Sequence, residues 1–175
     1  MQRRDLLKFG FSLTAIPSSI PAAWAAQAGK PDWRPSALDD HQNETVIVLT
    51  ELIIPATDTP SAKAAHVSRY IDLLLRDGDA AQRERFVAGL NWLDGQAIAQ
   101  HRHPFVRCTP EQQTAMLKSM DDGRGPGRDF FRSVKNLTSR IYYSTQIGHQ
   151  ELNKGGRVPK TFGCSHGKQI GRAHV

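Results

Sequence analysis

The stretch FFRSVKNLTSRIYYSTQIGHQE, residues 130–151, is the longest uninterrupted periodic segment of the 175-residue chain. Apolar residues recur in it at helical spacing and form one face, made of Phe130, Val134, Leu137, Ile141 and Gly148. A second apolar stripe runs beside the first and comprises Phe131, Thr138, Tyr142 and Ile147. Glycine-rich segments at 123–127 and 155–156 bound the stretch. We therefore predict a central helix that is covered on more than one side.

Shorter periodic segments precede this one, and each is marked by a capping residue or a helix breaker. Their predicted bounds are Asp39 or Asp40 to Ile54, about Ser61 to Arg76 after a Thr59 cap and Pro60, Asp79 to before Pro104, and Thr109 to Met120. No strand pattern and no internal repeat is visible in the sequence. The sequence predicts an all-α domain at 39–152, with about five helices packed around the central C-terminal helix.

The apolar content and the charge of the chain exclude several classes of protein. The chain has 39% apolar residues, which excludes a largely disordered protein and a membrane bundle. Its formal net charge is +6, but basic and acidic residues are mixed along the helices and no basic run of five or six residues occurs. We therefore expect no nucleic-acid partner.

Residues 1–25 have the three parts of an export signal. Arg3 and Arg4 form the positive end, a short and weakly apolar run follows, and Ala23-Trp24-Ala25 is a cleavage site of the A-x-A type. The start, RRDLLK at 3–8, is similar to the twin-arginine consensus, with a general secretory signal as the alternative. We expect a twin-arginine signal peptide at 1–25, recognised by the twin-arginine translocase through Arg3 and Arg4, and a periplasmic protein.

The segments that flank the helical domain carry few structural signals. Residues 26–38 contain two prolines and read as an extended linker, and residues 153–169 read as a C-terminal loop. The last six residues, 170–175, match the translation of a common sequencing-adapter oligonucleotide. We expect these six not to belong to the natural protein.

None of the candidate reactive residues forms a recognised catalytic or metal-binding pattern. His101 and His103 are two positions apart, which is poor metal geometry on a helix. His66, Ser68 and Asp72 could be combined into a triad, but their spacing on one helix does not build a relay. The glycine-rich segment 123–127 lacks the lysine of a phosphate loop. We expect no catalytic, metal-binding or cofactor-binding residue in this chain.

Two pairs of residues are candidates for contact with a partner. Tyr142 and Tyr143 are adjacent, so one of them is expected in the core and the other is free for a partner surface. Cys108 and Cys164 lie in different loops of a protein bound for an oxidising compartment. They could pair, which would stabilise the fold by ~3–4 kcal/mol, they could stay reduced, or Cys164 could cross-link to a partner.

Several landmarks together resemble a known family, the small third subunit of gluconate 2-dehydrogenase complexes. The stretches that carry the resemblance are LTELIIPATDTPSAKAAHVSRYIDLLL at 49–75, RFVAGLNWLDGQA at 85–97, HPFVRCTPEQQTAML at 103–117, FF and RIYYSTQIGHQEL within 130–152, and PKTFGCSH at 159–166. Their order and spacing carry the likeness, which covers most of residues 39 to 166.

The resemblance implies a non-catalytic subunit and export escort. Its partner would be a large FAD-binding dehydrogenase of the glucose–methanol–choline type that oxidises a sugar or sugar acid, commonly with a cytochrome c subunit that carries haem c. The large subunit in such systems often lacks its own export signal, and the complex would be held at the membrane through the partner subunits. The alternative is an independent small periplasmic helical protein, either a metal-binding protein or an enzyme.

Overall fold

The structure, a computed structural model, describes residues 22–30 and 32–152. In these two ranges it contains seven α-helices, one 3-10 helix and no strand. The helices are α1 (Ala22–Ala28), α2 (Asp40–Ile53), α3 (Val67–Asp77), α4 (Ala80–His101), the 3-10 helix (Phe105–Arg107), α5 (Pro110–Asp122), α6 (Pro126–Ser144) and α7 (Gln146–Leu152). The all-α prediction is confirmed, with more helices than expected. Within the described ranges, no helix has the length and hydropathy that a membrane crossing requires.

Helix α6 lies at the centre of the fold, because it packs against α2, α3, α4, α5 and α7. Both predicted apolar stripes of α6 are buried, including Val134, which is fully buried, and Phe130. The ring of Phe130 meets Phe86 of α4 edge-on, with 5.7 Å between centroids. A Cβ at Gly89 would stand 2.1 Å from the Phe130 ring, so glycine at this position permits the close approach of α4 and α6.

The predicted central helix is not continuous, because Thr145 divides it into α6 and α7. Thr145 has an extended backbone, and its Oγ1 donates to the Tyr142 carbonyl at 2.6 Å and accepts from the Gly148 amide at 3.2 Å. Gly148 belongs to this turn, since a Cβ there would lie 2.1 Å from the Tyr142 carbonyl oxygen. The expectation of one uninterrupted helix over 130–151 was therefore wrong at its C-terminal third.

The predicted caps of three helices are confirmed. Asp39 and Gln42 form a capping box at the start of α2, as do Thr109 and Gln112 at the start of α5. The Asp79 side chain accepts from the Ala81 amide and begins α4. In each case a short polar side chain satisfies backbone amides that have no partner within the helix.

The predicted start of the second helix was wrong. Thr59 and Pro60 do not begin a helix, and α3 starts only at Val67. His66 adopts a left-handed conformation (φ 55°), and a turn over 62–66 precedes it, in which the Val67 amide donates to the Ala62 carbonyl at 3.0 Å. The Tyr142 hydroxyl donates to the Pro60 carbonyl at 2.6 Å, so this irregular segment is attached to α6.

The segment before α2 is irregular from residue 32 to residue 39, but it is fixed to α3 through a buried carboxylate. Asp72, which is fully buried, accepts from the backbone amides of Ser36, Ala37 and Leu38 and from the Ser36 hydroxyl, at 2.9–3.2 Å. Several amide donors on one carboxylate replace the hydration that burial removes. Asp72 therefore attaches the segment to the domain and takes no part in a triad.

Candidate functional site

A groove lies between α4 and α5. Both helices pack on α6, and a cavity of about 360 Å³ separates them. One wall is a stripe of three side chains on successive turns of α4, namely Trp92, Gln96 and Gln100. We call this cavity the α4–α5 groove.

The opposite wall of the α4–α5 groove comes from α5 and the first turn of α6. Met116 and Met120 of α5 are nearly buried and form the apolar part of the lining. Methionine is flexible and polarisable, so a surface that contains it can adapt to differently shaped partners. Arg124, in the loop after α5, and Arg128 of α6 lie at the other side of the opening and are exposed.

The charged side chains that line the α4–α5 groove are Arg124 and Arg128. The other polar lining residues include His101, which is half-buried, and no aspartate or glutamate lines the cavity. Asp122 and Asp129 are close in sequence to the two arginines, but neither lines the groove. Such a set of side chains attracts carboxylates, because arginine can pair with them in a bidentate geometry.

The polar groups of the α4–α5 groove have no partner among the described residues. No hydrogen bond or ion pair within 22–30 and 32–152 involves the side chains of Trp92, Gln96, Gln100, Arg124 or Arg128. Trp92 also keeps 37% of its surface exposed. Tryptophan and arginine are the residue types that most often dominate the energy of protein interfaces. The groove thus has the composition of a binding surface.

The two tyrosines differ in burial, as the sequence indicated. Tyr142 is fully buried, whereas Tyr143 is 38% exposed, and their rings meet edge-on at 5.2 Å. Burial, together with the nearby Glu151 carboxylate, raises the pKa of Tyr142 to about 12. Leu152, at the end of α7, is 61% exposed. The role of Tyr143 as a partner contact stays a prediction, and Tyr142 acts in the core.

The N-terminal segment is attached to α3 by hydrogen bonds, including one from Arg69 to the Ala28 carbonyl. Trp24 Nε1 donates to Asp77 at 3.1 Å, and Arg76 Nη1 donates to the Gln27 side chain at 3.0 Å. Arg69 donates to the Lys30 carbonyl at 2.8 Å and also stacks on the Trp33 ring. Helix α1, which these contacts attach to α3, contains the Ala23-Trp24-Ala25 sequence of the predicted cleavage site.

The structure does not bring the remaining histidine, serine and aspartate candidates together into one site. His101 lines the α4–α5 groove, and His103 is exposed in the turn that follows. No group of three or more potential metal ligands occurs in the described ranges. Ser68 and Asp72 are buried, whereas His66 is exposed at the turn before α3.

Only one of the two cysteines falls in the described ranges. Cys108 is buried, and its sulfur lies 3.6 Å from the Pro104 carbonyl and 3.8 Å from that of His103. Burial, with a contribution from the nearby Asp94, raises the pKa of the Cys108 thiol. Cys164, Arg3 and Arg4 lie outside the described residues, so the cysteine pairing and the recognition of the paired arginines stay predictions.

Comparison with known protein families gives one clear match. The family model described as gluconate 2-dehydrogenase subunit 3 matches residues 40–156, more than half of the chain. The chain belongs to this family. No curated protein and no solved structure shows a significant match to the chain.

The subunit 3 match covers most of the described fold and leaves out its N-terminal part. It begins with the first residue of α2 and extends past α7, so it contains the whole α4–α5 groove. Helix α1 and the segment attached to Asp72 precede the matched range. The groove is therefore part of the subunit 3 domain.

Proposed function

We propose that this chain is the non-catalytic small subunit and export escort of a periplasmic flavin-dependent dehydrogenase complex that oxidises a sugar or sugar acid. The single observation that carries the proposal is the subunit 3 match over residues 40–156. The family name describes one subunit of a gluconate 2-dehydrogenase, and a subunit of this kind works with other chains.

The surface of the domain carries exposed side chains of the kinds found at interfaces between subunits. The α4–α5 groove presents an exposed tryptophan and two unpaired arginines, and Tyr143 and Leu152 are exposed at the opposite end of α6. Exposed aromatic and arginine side chains are enriched at interfaces between proteins. In this proposal FAD and haem c belong to the partners, which are a large glucose–methanol–choline type subunit and a cytochrome c subunit.

The escort role depends on the paired arginines at residues 3 and 4. A flavoprotein that acquires FAD in the cytoplasm must cross the membrane folded, and the twin-arginine pathway accepts folded cargo. Binding to this subunit before export would let one signal carry both chains.

The test of complex formation is co-purification. The full chain, carrying a C-terminal tag, is expressed in its native host, and the material that co-purifies with it is examined by its flavin absorbance spectrum. We expect one flavoprotein for each tagged chain, and no flavin in the tagged chain purified alone. Flavin or a stoichiometric metal ion in the isolated chain would favour the independent enzyme or metal-binding protein instead.

A further inference from the structure

We propose that the α4–α5 groove is the docking site for an acidic segment of the flavoprotein subunit. This inference rests on the proposed function, because it assigns one surface of the domain to that partner. Its basis is the set of unpartnered cationic and amide side chains around an apolar lining of methionines.

The shape of the groove suits a short segment of polypeptide. The stripe from Trp92 to Gln100 covers eight helical rises along α4 and is therefore about 12 Å long. Along this length, Gln96 and Gln100 offer amide donors and acceptors that match those of a peptide backbone. The partly exposed indole of Trp92 provides the apolar surface on which the side chains of such a segment would pack, above a floor formed by the buried Met116 and Met120.

The charged side chains that line the groove favour the binding of an acidic segment. The indole of Trp92 contacts Gly127, which places Arg128 at the Trp92 end of the groove, whereas His101 follows Gln100 at the other end. Carboxylates on the bound segment would pair with Arg124 and Arg128 without displacing an existing ion pair. A basic segment would meet Arg124 and Arg128 and no carboxylate among the lining residues, which gives the groove specificity as well as affinity.

The residues that flank the described ranges do not form an acidic segment. Residues 153–169 contain four lysines and arginines and no aspartate or glutamate. Residues 1–21 contain Arg3, Arg4 and Lys8 against the single Asp5. These flanking residues are basic and do not complement the arginines of the groove, so we assign the groove to the partner that the family implies, the flavoprotein subunit.

The test measures the Kd between the purified flavoprotein subunit and the full chain. The double variant Arg124→Glu/Arg128→Glu is expected to raise Kd by about tenfold or more and to reduce its dependence on salt. Arg83→Glu/Arg107→Glu is the matched control, because it makes the same change of net charge at two exposed arginines that do not line the groove. Thermal melts check that all variants fold, and Arg124→Lys/Arg128→Lys should restore part of the affinity because it keeps the charge.

Cross-linking locates the partner segment. A photo-reactive benzoylphenylalanine at position 96 should cross-link to a stretch of the flavoprotein that contains several acidic residues. The same group at Ile98, which is exposed on the opposite side of α4, should not. Cross-links from position 98 alone would overturn the assignment.

The outcomes separate this inference from the proposed function. If the wild-type chain binds no flavoprotein, both fail. If wild type binds and the double glutamate variant binds equally well, the groove is not the docking site and the proposed function stands. Displacement of the flavoprotein by excess gluconate would assign the groove to a small carboxylate and overturn the docking proposal.

Discussion

The indole of Trp92 lies directly against the backbone of Gly127. A Cβ at position 127 would stand 2.3 Å from Cη2 and 2.6 Å from Cζ3 of the ring, which is closer than non-bonded carbon atoms approach. Gly127 is buried in the first turn of α6, so its lack of a side chain is what lets the ring rest on that turn. This contact sets the position of the aromatic end of the α4–α5 groove.

Replacement of Gly127 by alanine therefore tests the shape of the groove. Because Trp92 is partly exposed, its ring can turn toward solvent, and we expect a loss of stability of only about 1 kcal/mol. The change in ring environment should appear in the tryptophan fluorescence, and flavoprotein binding should weaken. Gly95→Ala is the control, since a Cβ there meets no atom within 4 Å. Unchanged fluorescence in Gly127→Ala would mean that the ring does not rest on α6.

The buried carboxylate of Asp72 should contribute to the stability of the fold. Its carboxylate is fully buried and accepts four hydrogen bonds from Ser36, Ala37 and Leu38. In Asp72→Asn, one side-chain oxygen becomes an NH₂ group that faces these donors, and we expect a loss of about 2–4 kcal/mol. Urea unfolding measures the difference, with the exposed Asp32→Asn as the control. A loss below about 0.5 kcal/mol would contradict the role of Asp72 as the attachment point of residues 36–38.

The Cys108 thiol should be unreactive in the folded protein. Burial raises its pKa, so at neutral pH less of it is thiolate, which is the form that attacks alkylating reagents. In a Cys164→Ser background, which removes the alternative of a disulfide, we expect slow alkylation by iodoacetamide when the chain is folded. The rate should rise on unfolding, and its pH profile should move to lower pH. Equal rates in the folded and unfolded chain would show that Cys108 is accessible.

Local chemistry made the helix starts predictable. Asp39, Asp79 and Thr109 each satisfy amides within three residues along the chain, and contacts of this range can be read from sequence. The same holds for the apolar stripes of α6, whose helical spacing determines which side chains share a face.

The errors in the sequence analysis occurred where tertiary contacts override local pattern. The apolar periodicity continues through Thr145, so it does not indicate the break between α6 and α7. The only local signs of that break are Thr145 itself and Gly148, whose amide donates to the Thr145 hydroxyl. The late start of α3 depends on the left-handed His66, and the Pro60 carbonyl is held by Tyr142, 82 residues further along the chain. Neither contact has a signature in the sequence around residue 60.

The α4–α5 groove was also missed, although one signal was available. Trp92, Gln96 and Gln100 recur every fourth residue, which indicates a shared face of α4. That spacing does not determine whether the face meets another helix or solvent. The answer depends on how α4 and α5 are spaced on α6, and this spacing depends partly on Gly89 and Gly127, where side chains would collide with aromatic rings.

The most direct test of the export escort is a fractionation experiment with Arg3 and Arg4 replaced by lysine. The substitution keeps the charge but removes the guanidinium groups, so it tests recognition of the paired arginines and not electrostatics alone. Flavin-dependent dehydrogenase activity is measured in the periplasmic and cytoplasmic fractions of wild-type and variant strains. We predict that the activity moves from the periplasm to the cytoplasm together with this chain. Unchanged periplasmic activity, with this chain alone retained in the cytoplasm, would contradict the escort role.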